Sequence, residues 1–287
     1  MNSAEWLAYY RQNRSDRLPI AWDVPVQITP ALRASVLRSL ARFQLGESSA
    51  GTSLRRAART TGDADFMAAI ELFIAEEQEH ARLLGRVLAR FAVPPLHHHW
   101  SDWLFRRCRH RLGFSGEITV LLMAEIVALK YYSVVRTGTA DGALRGVCDQ
   151  MLHDEKFHVR FHCEYLHRWL GRRSPVVQPL ASWVFTVLFA GATTVVAWDH
   201  RSAFLALGSS ADEFLNDSWQ NFQAAQTAIL TGRPFVWSRT LGRAEAGPAW
   251  VAPRSEFQQA WALARQSARW LWTLSFQPLV LAGPARH

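Results

Sequence analysis

Six residues of the types that bind metal ions recur in this sequence at one fixed offset. Two stretches of the chain each contain a lone glutamate and, 30 residues later, a Glu-x-x-His motif. The equivalent residues lie 78 positions apart and are Glu47 with Glu125, Glu77 with Glu155, and His80 with His158. One such motif arises often by chance, whereas two motifs that repeat together with a second glutamate pair indicate one shared metal site.

The spacing within each motif places the glutamate and the histidine on one face of a helix, about one turn apart. Apolar residues continue that face in steps of three and four, for example from Phe73 through Glu77 and His80 to Leu84. Such a stripe faces the core of a helical protein. Burial of four carboxylates there is costly unless cations neutralise them, and two divalent metal ions would do so.

The sequence around these residues predicts four long helices. Thr29-Pro30, a hydroxyl N-cap followed by proline, starts the first helix, and Gly171 is predicted to lie just beyond the end of the fourth. The predicted ranges are about 30–59, 64–91, 115–137 and 141–170. A crossover at about 94–115 contains a short helix around residues 103–109. The lone glutamates therefore belong to the first and third helices, and the motifs to the second and fourth.

Four glutamates and two histidines on four helices form the ligand set of a carboxylate-bridged di-iron or di-manganese site in a four-helix bundle. With these residues, the chain resembles the ferritin-like superfamily of di-iron carboxylate proteins over roughly residues 29–170. The resemblance implies an all-α fold, namely a ferritin-like four-helix bundle with additional C-terminal helices. It divides the chain into an N-terminal extension at 1–28, the bundle with its dimetal site at 29–171, and helices packed on the bundle at 172–287.

Four further residues are predicted to support the ligands. An acidic residue precedes each motif, Glu76 and Asp154, again 78 positions apart. A metal-bound histidine usually donates its free N–H to a carboxylate, and in similar families the acid of one motif orients the histidine of the other; the alternative is a pair of exposed helix charges. His162, one turn beyond the second motif, is a further ligand, a proton donor or a core histidine. Tyr132 lies two turns beyond Glu125, about 10 Å along the axis, and either supports the site or is structural.

For the function, the resemblance implies an oxidoreductase: a non-haem di-iron oxidase or monooxygenase that activates dioxygen and oxidises an organic substrate. Hydroxylation, N-oxygenation, desaturation and oxidative cleavage all fit, and no catalytic residue is identified beyond the metal ligands. Leu129 stands where oxygenase members often have a threonine, one turn beyond Glu125. The alternative is an iron-handling ferroxidase, a peroxide-detoxifying ferritin-like protein or a dimanganese protein, although the sequence lacks the CxxC iron site of rubrerythrins.

The expected cofactor is a pair of iron ions with dioxygen as co-substrate, although glutamate and histidine also accept an iron–manganese or a dimanganese pair. The chain has 32 Lys and Arg residues against 24 Asp and Glu residues, a net charge of +8. This excess reflects either the base composition of the source genome or an anionic substrate or acidic partner. We expect a substrate that is a small molecule or is bound to a carrier protein, an external electron donor, no nucleic acid, and a homodimer.

Two features bear on localisation. The three cysteines of the sequence form no CxxC motif, which favours a reducing cytoplasm over a secreted disulfide protein. Val176 to Trp198 is a run of 23 residues without a charge, long enough to span a bilayer. Its polar residues favour a helix that is buried against the bundle or in a dimer interface. Further helices are predicted at about 210–230 and, rich in tryptophan, at about 255–275.

Small residues surround Glu47, among them Gly46 and Gly51. Glycine weakens a helix, so its presence here needs a reason. The two interpretations are a close approach of another helix and space beside the metal ions for dioxygen or a substrate.

Overall fold

Helices account for the regular structure of the described chain. The structure is a computed structural model that describes residues 1–109, 113–174 and 176–237. Its helices are α1 (Ser3–Ser15), α2 (Pro30–Glu47), α3 (Thr52–Arg59), α4 (Ala64–Arg90), α5 (Trp100–Arg109), α6 (Gly113–Gly138), α7 (Gly142–Gly171), α8 (Val177–Asp199), α9 (Arg201–Ala206) and α10 (Ala211–Thr231). No β-strand occurs among the described residues. The all-α prediction is therefore confirmed for them, and the predicted helix at about 255–275 lies outside them.

Four long helices, α2, α4, α6 and α7, carry the candidate ligands and pack in pairs. α6 lies along α7, α2 lies along α4, and α4 also contacts α7. Apolar residues that are at most 1% exposed fill these helices' inner faces, including Leu40, Ile70, Phe73, Leu84, Ile126, Leu129, Met151 and Val159. Phe43 of α2 stacks on Tyr131 of α6 with 3.5 Å between ring centroids, which joins the two pairs. Burial of this apolar surface is the main free-energy term that holds the helices together.

The predicted bounds of α4, α6 and α7 agree with the structure to within two residues. α4 begins after Asp63, whose carboxylate accepts a hydrogen bond from the backbone N–H of Phe66. α7 begins after Asp141, which accepts from the N–H of Leu144 in the same way. These caps satisfy backbone donors that the first turn of a helix leaves free. Gly171, predicted to lie beyond α7, is instead its last residue, because it does not adopt the positive φ of a glycine cap.

The prediction of one continuous first helix to about residue 59 is wrong. α2 ends at Glu47, and α3 begins only at Thr52. Between them Gly51 adopts a φ of +67°, in the left-handed region that favours glycine. A Cβ atom at this position would lie 2.7 Å from Ile74 Cδ1, so α4 leaves no room for a larger residue. The break makes Glu47 the last residue of α2 instead of a mid-helix residue.

The N-terminal extension contains a helix that the sequence analysis does not predict. α1 packs along α4 and buries Trp6 and Tyr10 completely. The indole N–H of Trp6 donates a hydrogen bond to Glu164 of α7. Asn13, on the same side of α1, is only 4% exposed. α1 therefore bridges the two helices that carry the Glu-x-x-His motifs.

Two helices of the described chain, α6 and α8, are long and apolar enough to cross a membrane. Length and composition are weak evidence, because the core helix of a soluble protein passes the same test. The most apolar stretch of α6 is 83% buried, whereas that of α8 is 33% buried. α8 packs on α6 and α10; it buries Phe185 and Phe189 but exposes Leu180, Trp183 and Val187. The predicted burial of this helix therefore holds for one face only.

Candidate metal centre

Two glutamates and two histidines from α4 and α7 converge in the core. Glu77, His80, Glu155 and His158 each offer one ligand atom, and these atoms all lie within 4.8 Å of one another. Three of the side chains are completely buried, and that of Glu77 is 14% exposed. Each motif places its glutamate and histidine one turn apart on the inner face of its helix. The contact between α4 and α7 therefore brings all four side chains together.

Both glutamates of this group lie between the two histidines. Glu77 Oε1 is 3.6 Å from His80 Nδ1 and 3.1 Å from His158 Nδ1. Glu155 Oε1 is 3.5 Å from His80 Nδ1, and Glu155 Oε2 is 3.3 Å from His158 Nδ1. Each carboxylate thus lies close to both imidazoles.

The outer nitrogen of each histidine contacts the acid that precedes the other motif. His80 Nε2 lies 2.9 Å from Asp154 Oδ2, and His158 Nε2 lies 3.0 Å from Glu76 Oε2. An ionised carboxylate only accepts hydrogen bonds, so a contact with such a carboxylate places the ring hydrogen on Nε2. In a neutral imidazole the lone pair then lies on Nδ1, which faces the cluster. The contacts have the crossed arrangement that the resemblance implies, and both acids are buried instead of being exposed helix charges.

Residues of the N-terminal segment hold these two acids. Asn13 Nδ2 donates hydrogen bonds to Glu76 Oε1 and to Asp154 Oδ1, both at 2.8 Å. The Arg17 guanidinium lies 2.7 Å from Asp154 Oδ2. The sequence does not predict the role of Asn13 and Arg17, because no ligand spacing includes them. The available signal is Asn13 itself, a polar residue three positions after Tyr10 on the apolar side of α1.

Asp154 is ionised in this setting. Burial alone would raise the pKa of this carboxyl group, but its hydrogen bond with His80 and the charges of His80 and Arg17 hold the pKa well below its usual range. Asp154 therefore remains a hydrogen-bond acceptor near neutral pH. It can fix both the tautomer and the orientation of the His80 ring.

The cluster attracts positive charge. Burial raises the pKa of Glu155 well above its usual range, and the charge of Glu125 adds to this effect. Burial favours the neutral form of His158, but the close carboxylates of Glu155, Glu76 and Glu77 raise its pKa well above the usual range. Carboxylates that share a buried site recruit cations, which are either protons or metal ions.

The inward-facing polar atoms lack hydrogen-bond partners among the described residues. They are Glu77 Oε1, His80 Nδ1, both carboxylate oxygens of Glu155, and His158 Nδ1. Buried polar atoms in native proteins are almost always satisfied, so a group of unsatisfied atoms that converge indicates a ligand. Imidazole nitrogens and carboxylate oxygens together suit iron, manganese and zinc. The residues present therefore fit a buried metal ion.

The lone glutamates of the repeat lie beside this group. The Tyr132 hydroxyl donates a hydrogen bond to Glu47 Oε1 at 2.8 Å, and Glu125 Oε1 lies 3.8 Å from His162 Nε2. Burial and the charges of Glu77 and Glu125 raise the pKa of Glu47 well above its usual range. Burial alone would also raise the pKa of Glu125, but the neighbouring His162 and other contacts lower it to about 2. Both lone glutamates are thus electrostatically coupled to the cluster.

The two other predicted supporting residues differ in their contacts. Tyr132 bonds to Glu47 of the first half, not to Glu125 of its own helix. His162 is completely buried, and neither ring nitrogen has a hydrogen-bond partner among the described residues. At 3.8 Å from Glu125 it is too far for a direct hydrogen bond. Its three interpretations, as a further ligand, a proton donor or a core histidine, stay predictions.

An apolar cavity of about 400 Å³ reaches the cluster. Glu47, Glu77 and Glu125 lie on its wall, as do Gly46 and Gly51. A Cβ atom added to Gly46 would meet no atom within 4 Å, whereas one added to Gly51 would collide with α4. Each interpretation of the small residues therefore applies to one glycine: Gly46 leaves space in the cavity, and Gly51 permits a close helix approach.

No protein-family model matches this chain, and a search of curated proteins finds no significant match. The described residues show a helical protein with a buried group of two histidines and two glutamates that could hold a metal ion. The metal-binding interpretation rests on the geometry of these four residues and not on similarity to a known protein.

Proposed function

We propose that this chain is a non-haem di-iron oxidase or oxygenase of the ferritin-like superfamily, which activates dioxygen and oxidises an organic substrate. The observation that carries the proposal is the convergence of unpartnered Nδ1 and carboxylate atoms between α4 and α7. Surface clusters of acids occur without metal ions, but these atoms are enclosed and have no water-facing alternative. A bound cation pair is the simplest way to satisfy them.

Six residues would hold the two ions: Glu47, Glu77, His80, Glu125, Glu155 and His158. Glu77 and Glu155 lie against both histidines, so they suit the bridging positions. Glu47 and Glu125 lie on the cavity wall, one from each half of the repeat, and suit the outer positions. Two divalent cations would balance the four negative charges of these carboxylates.

Two iron ions held by these residues would supply the activation of dioxygen, and the protein would supply binding, orientation and exclusion of water. In this chain Asp154 and Glu76 accept the Nε2 hydrogens of the two histidines and so keep Nδ1 free for a metal ion. The Tyr132 hydroxyl directs its hydrogen to Glu47 and fixes that carboxylate. Phe73 packs edge-on against the motif histidine of α7, with 4.7 Å between ring centroids, and shields it from water.

The alternative is an iron-handling ferroxidase, a peroxide-detoxifying protein or a dimanganese protein, which would use the same ligands. The apolar cavity beside the cluster favours the oxidase or oxygenase, because iron handling needs no space for an organic molecule. An external electron donor, a homodimeric state and a cytoplasmic location complete the proposal.

The test is the metal content of protein produced with iron and manganese both supplied. We expect two iron ions per chain in the unaltered protein and a loss of metal in Glu125→Ala and His158→Ala. Glu79→Ala is the control, because this glutamate, which lies between Glu77 and His80 on α4, pairs with Arg82 at the surface instead of facing the core. Unchanged metal content in both ligand variants would overturn the ligand assignment.

Dioxygen consumption then separates the two functions. Consumption that an organic molecule stimulates supports the oxidase or oxygenase. Turnover of added ferrous ion into a mineral, or rapid loss of added hydrogen peroxide without an organic substrate, supports the alternative.

A further inference from the structure

The cavity beside the cluster has walls built from six helices, and Phe43 of α2 is one of its apolar lining residues. Its volume of about 400 Å³ is within the range of small-molecule sites. Residues of α3, α4, α6 and α8 contribute the apolar lining, among them Leu54, Phe73, Ile74, Leu121, Leu188 and Val195. α5 supplies Leu104 and Phe105. A ligand in this cavity would therefore exchange water for hydrocarbon over most of its surface.

The charged residues on the cavity wall outside the cluster are already paired. Arg42 Nη1 lies 3.1 Å from Asp199 Oδ1, and Arg109 Nε lies 3.3 Å from Glu117 Oε1. Asp102 pairs with a surface arginine of its own helix. Among the described lining residues, no arginine is therefore left without an acidic partner. An anionic head group would meet no uncompensated cation, since two divalent ions would only balance the four carboxylates of the cluster.

The cavity opens to the surface between α5 and α8. Leu104 and Val187 line it and are also 38% and 49% exposed, so they mark its mouth. Trp103 and Trp183 are exposed nearby on the same two helices, each at 64%. An apolar molecule that approaches this mouth would find apolar side chains outside as well as inside.

We propose that this cavity binds an uncharged, mainly hydrocarbon molecule, which enters between α5 and α8 and places one end beside Glu47, Glu77 and Glu125. That the bound molecule is oxidised there rests on the proposed function; the binding itself does not. The proposal replaces the anionic substrate that the net charge of +8 allows. Although the chain has an excess of basic residues, the arginines that line the cavity are paired with acidic residues.

The test compares decanol with decanoate, which share a chain length and differ in the charge of the head group. Binding of each to the purified full-length chain, whose metal content is determined on the same sample, is measured by isothermal titration calorimetry. We expect decanol to bind at least about tenfold more tightly, because decanoate must desolvate a charge without a cationic partner. Equal or tighter binding of decanoate would overturn the proposal.

Gly191→Phe locates the binding. Gly191 of α8 lines the cavity, and a Cβ atom there would meet no atom within 4 Å, so a phenyl ring would occupy the mouth. Gly85→Phe is the matched control, because this α4 glycine also has open space but does not line the cavity. We expect decanol affinity to fall about tenfold or more in Gly191→Phe only, with equal metal content in both variants. Unchanged decanol affinity in Gly191→Phe would overturn the assignment of the site.

Failure of the proposed function has a different signature. A chain that holds no metal but binds decanol in the cavity would refute the di-iron proposal and leave the binding proposal intact. A chain that holds two iron ions but binds neither probe would refute the binding proposal alone.

Discussion

The two halves of the repeat supply the same residue types but build different surroundings for their lone glutamates. Glu125 lies in the middle of the unbroken helix α6 and is only 3% exposed. Glu47 is the last residue of α2, half-buried, and next to a turn that contains Gly51. Both line the cavity, but only Glu47 lies at a helix end where the backbone can move without breaking a helix.

The surroundings of the two glutamates shift their pKa values in opposite directions. Burial, with the charges of Glu77 and Glu125, raises the pKa of Glu47 well above its usual range. Burial acts on Glu125 too, but His162 and other contacts lower its pKa to about 2. The two candidate ligands occupy equivalent positions of the repeat, but their surroundings shift their pKa values in opposite directions. This difference leads to four predictions.

The largest effect is expected where the halves are equivalent. Glu77→Ala and Glu155→Ala each remove a carboxylate that lies against both histidines, so each variant should lose metal from both positions. Metal analysis of the purified variants, with Glu79→Ala as control, measures this. If one variant kept a full metal complement, the two halves would not share their bridging residues as the distances indicate.

The next effect concerns the residue that links the halves. Asn13→Leu removes the donor shared by Glu76 and Asp154, so both histidines lose orientation and metal affinity should fall about 10- to 100-fold. The loss should be greater on the His158 side, since Asp154 keeps hydrogen bonds from Arg17 and Gln150, whereas Glu76 keeps only a 4.0 Å contact with Arg17. Chelator competition measures the affinity.

The control for this prediction is Gln12→Leu, a similar change at the neighbouring exposed position of α1. An equal loss of affinity in both variants would mean that α1 acts only through general stability. No loss in Asn13→Leu would mean that the two acids hold their histidines without help.

A smaller and one-sided effect is expected from Tyr132→Phe. The variant removes the hydrogen bond to Glu47 at 2.8 Å. Glu47 would be ionised as a metal ligand, and a hydrogen bond to a charged group contributes about 1.5 kcal/mol or more, roughly tenfold in affinity. Stepwise metal titration should show one position weakened and the other unchanged. Tyr131→Phe is the control, because the Tyr131 hydroxyl shares a hydrogen bond with Ser39 and not with a candidate ligand. Equal weakening of both positions would contradict the difference between the halves.

Local signals in the sequence predict much of the fold and of the four-residue group. The bounds of α4 and α7 follow from caps such as Asp63 and Asp141 and from the period of the apolar stripe. The repeat places Glu76 and Asp154 beside the two motifs, and the resemblance implies their crossed contacts. Both signals depend on residues close together in sequence or on a spacing that can be counted.

Features that depend on distant contacts are not predicted. The break after Glu47 requires glycine at position 51, because Ile74 of another helix leaves no room there for a Cβ atom. Asn13 acts on Asp154, 141 residues away, with no spacing to reveal it. The net charge gives no indication that the cavity arginines are paired, because pairing such as that of Arg42 with Asp199 is a property of the fold.

The smallest effect on the metal centre is expected from His200, which lines the cavity beside the first half. Its Nδ1 lies 2.7 Å from Ser39 Oγ of α2. Burial lowers its pKa to about 3, and the charges of Arg42 and His99 add to this effect. In the unfolded chain a histidine has a pKa of about 6.5. The unfolded state therefore binds the extra proton between these values, so the stability present above pH 6.5 is lost as the pH falls through this window.

His200→Gln keeps a polar group for Ser39 and removes the titration. The free energy of unfolding should then fall less steeply with decreasing pH than in the unaltered protein, by about 1.4 kcal/mol per pH unit between about pH 6 and pH 4. Urea unfolding at several pH values gives the slope of the unfolding free energy against pH for each protein. The difference between the two slopes cancels the titration of groups that both proteins share. Metal content at neutral pH should not change, because His200 contacts Ser39 and not a candidate ligand. Parallel slopes would mean that the folded state also protonates His200, and that the cavity wall admits a charge which its paired arginines and apolar lining should exclude.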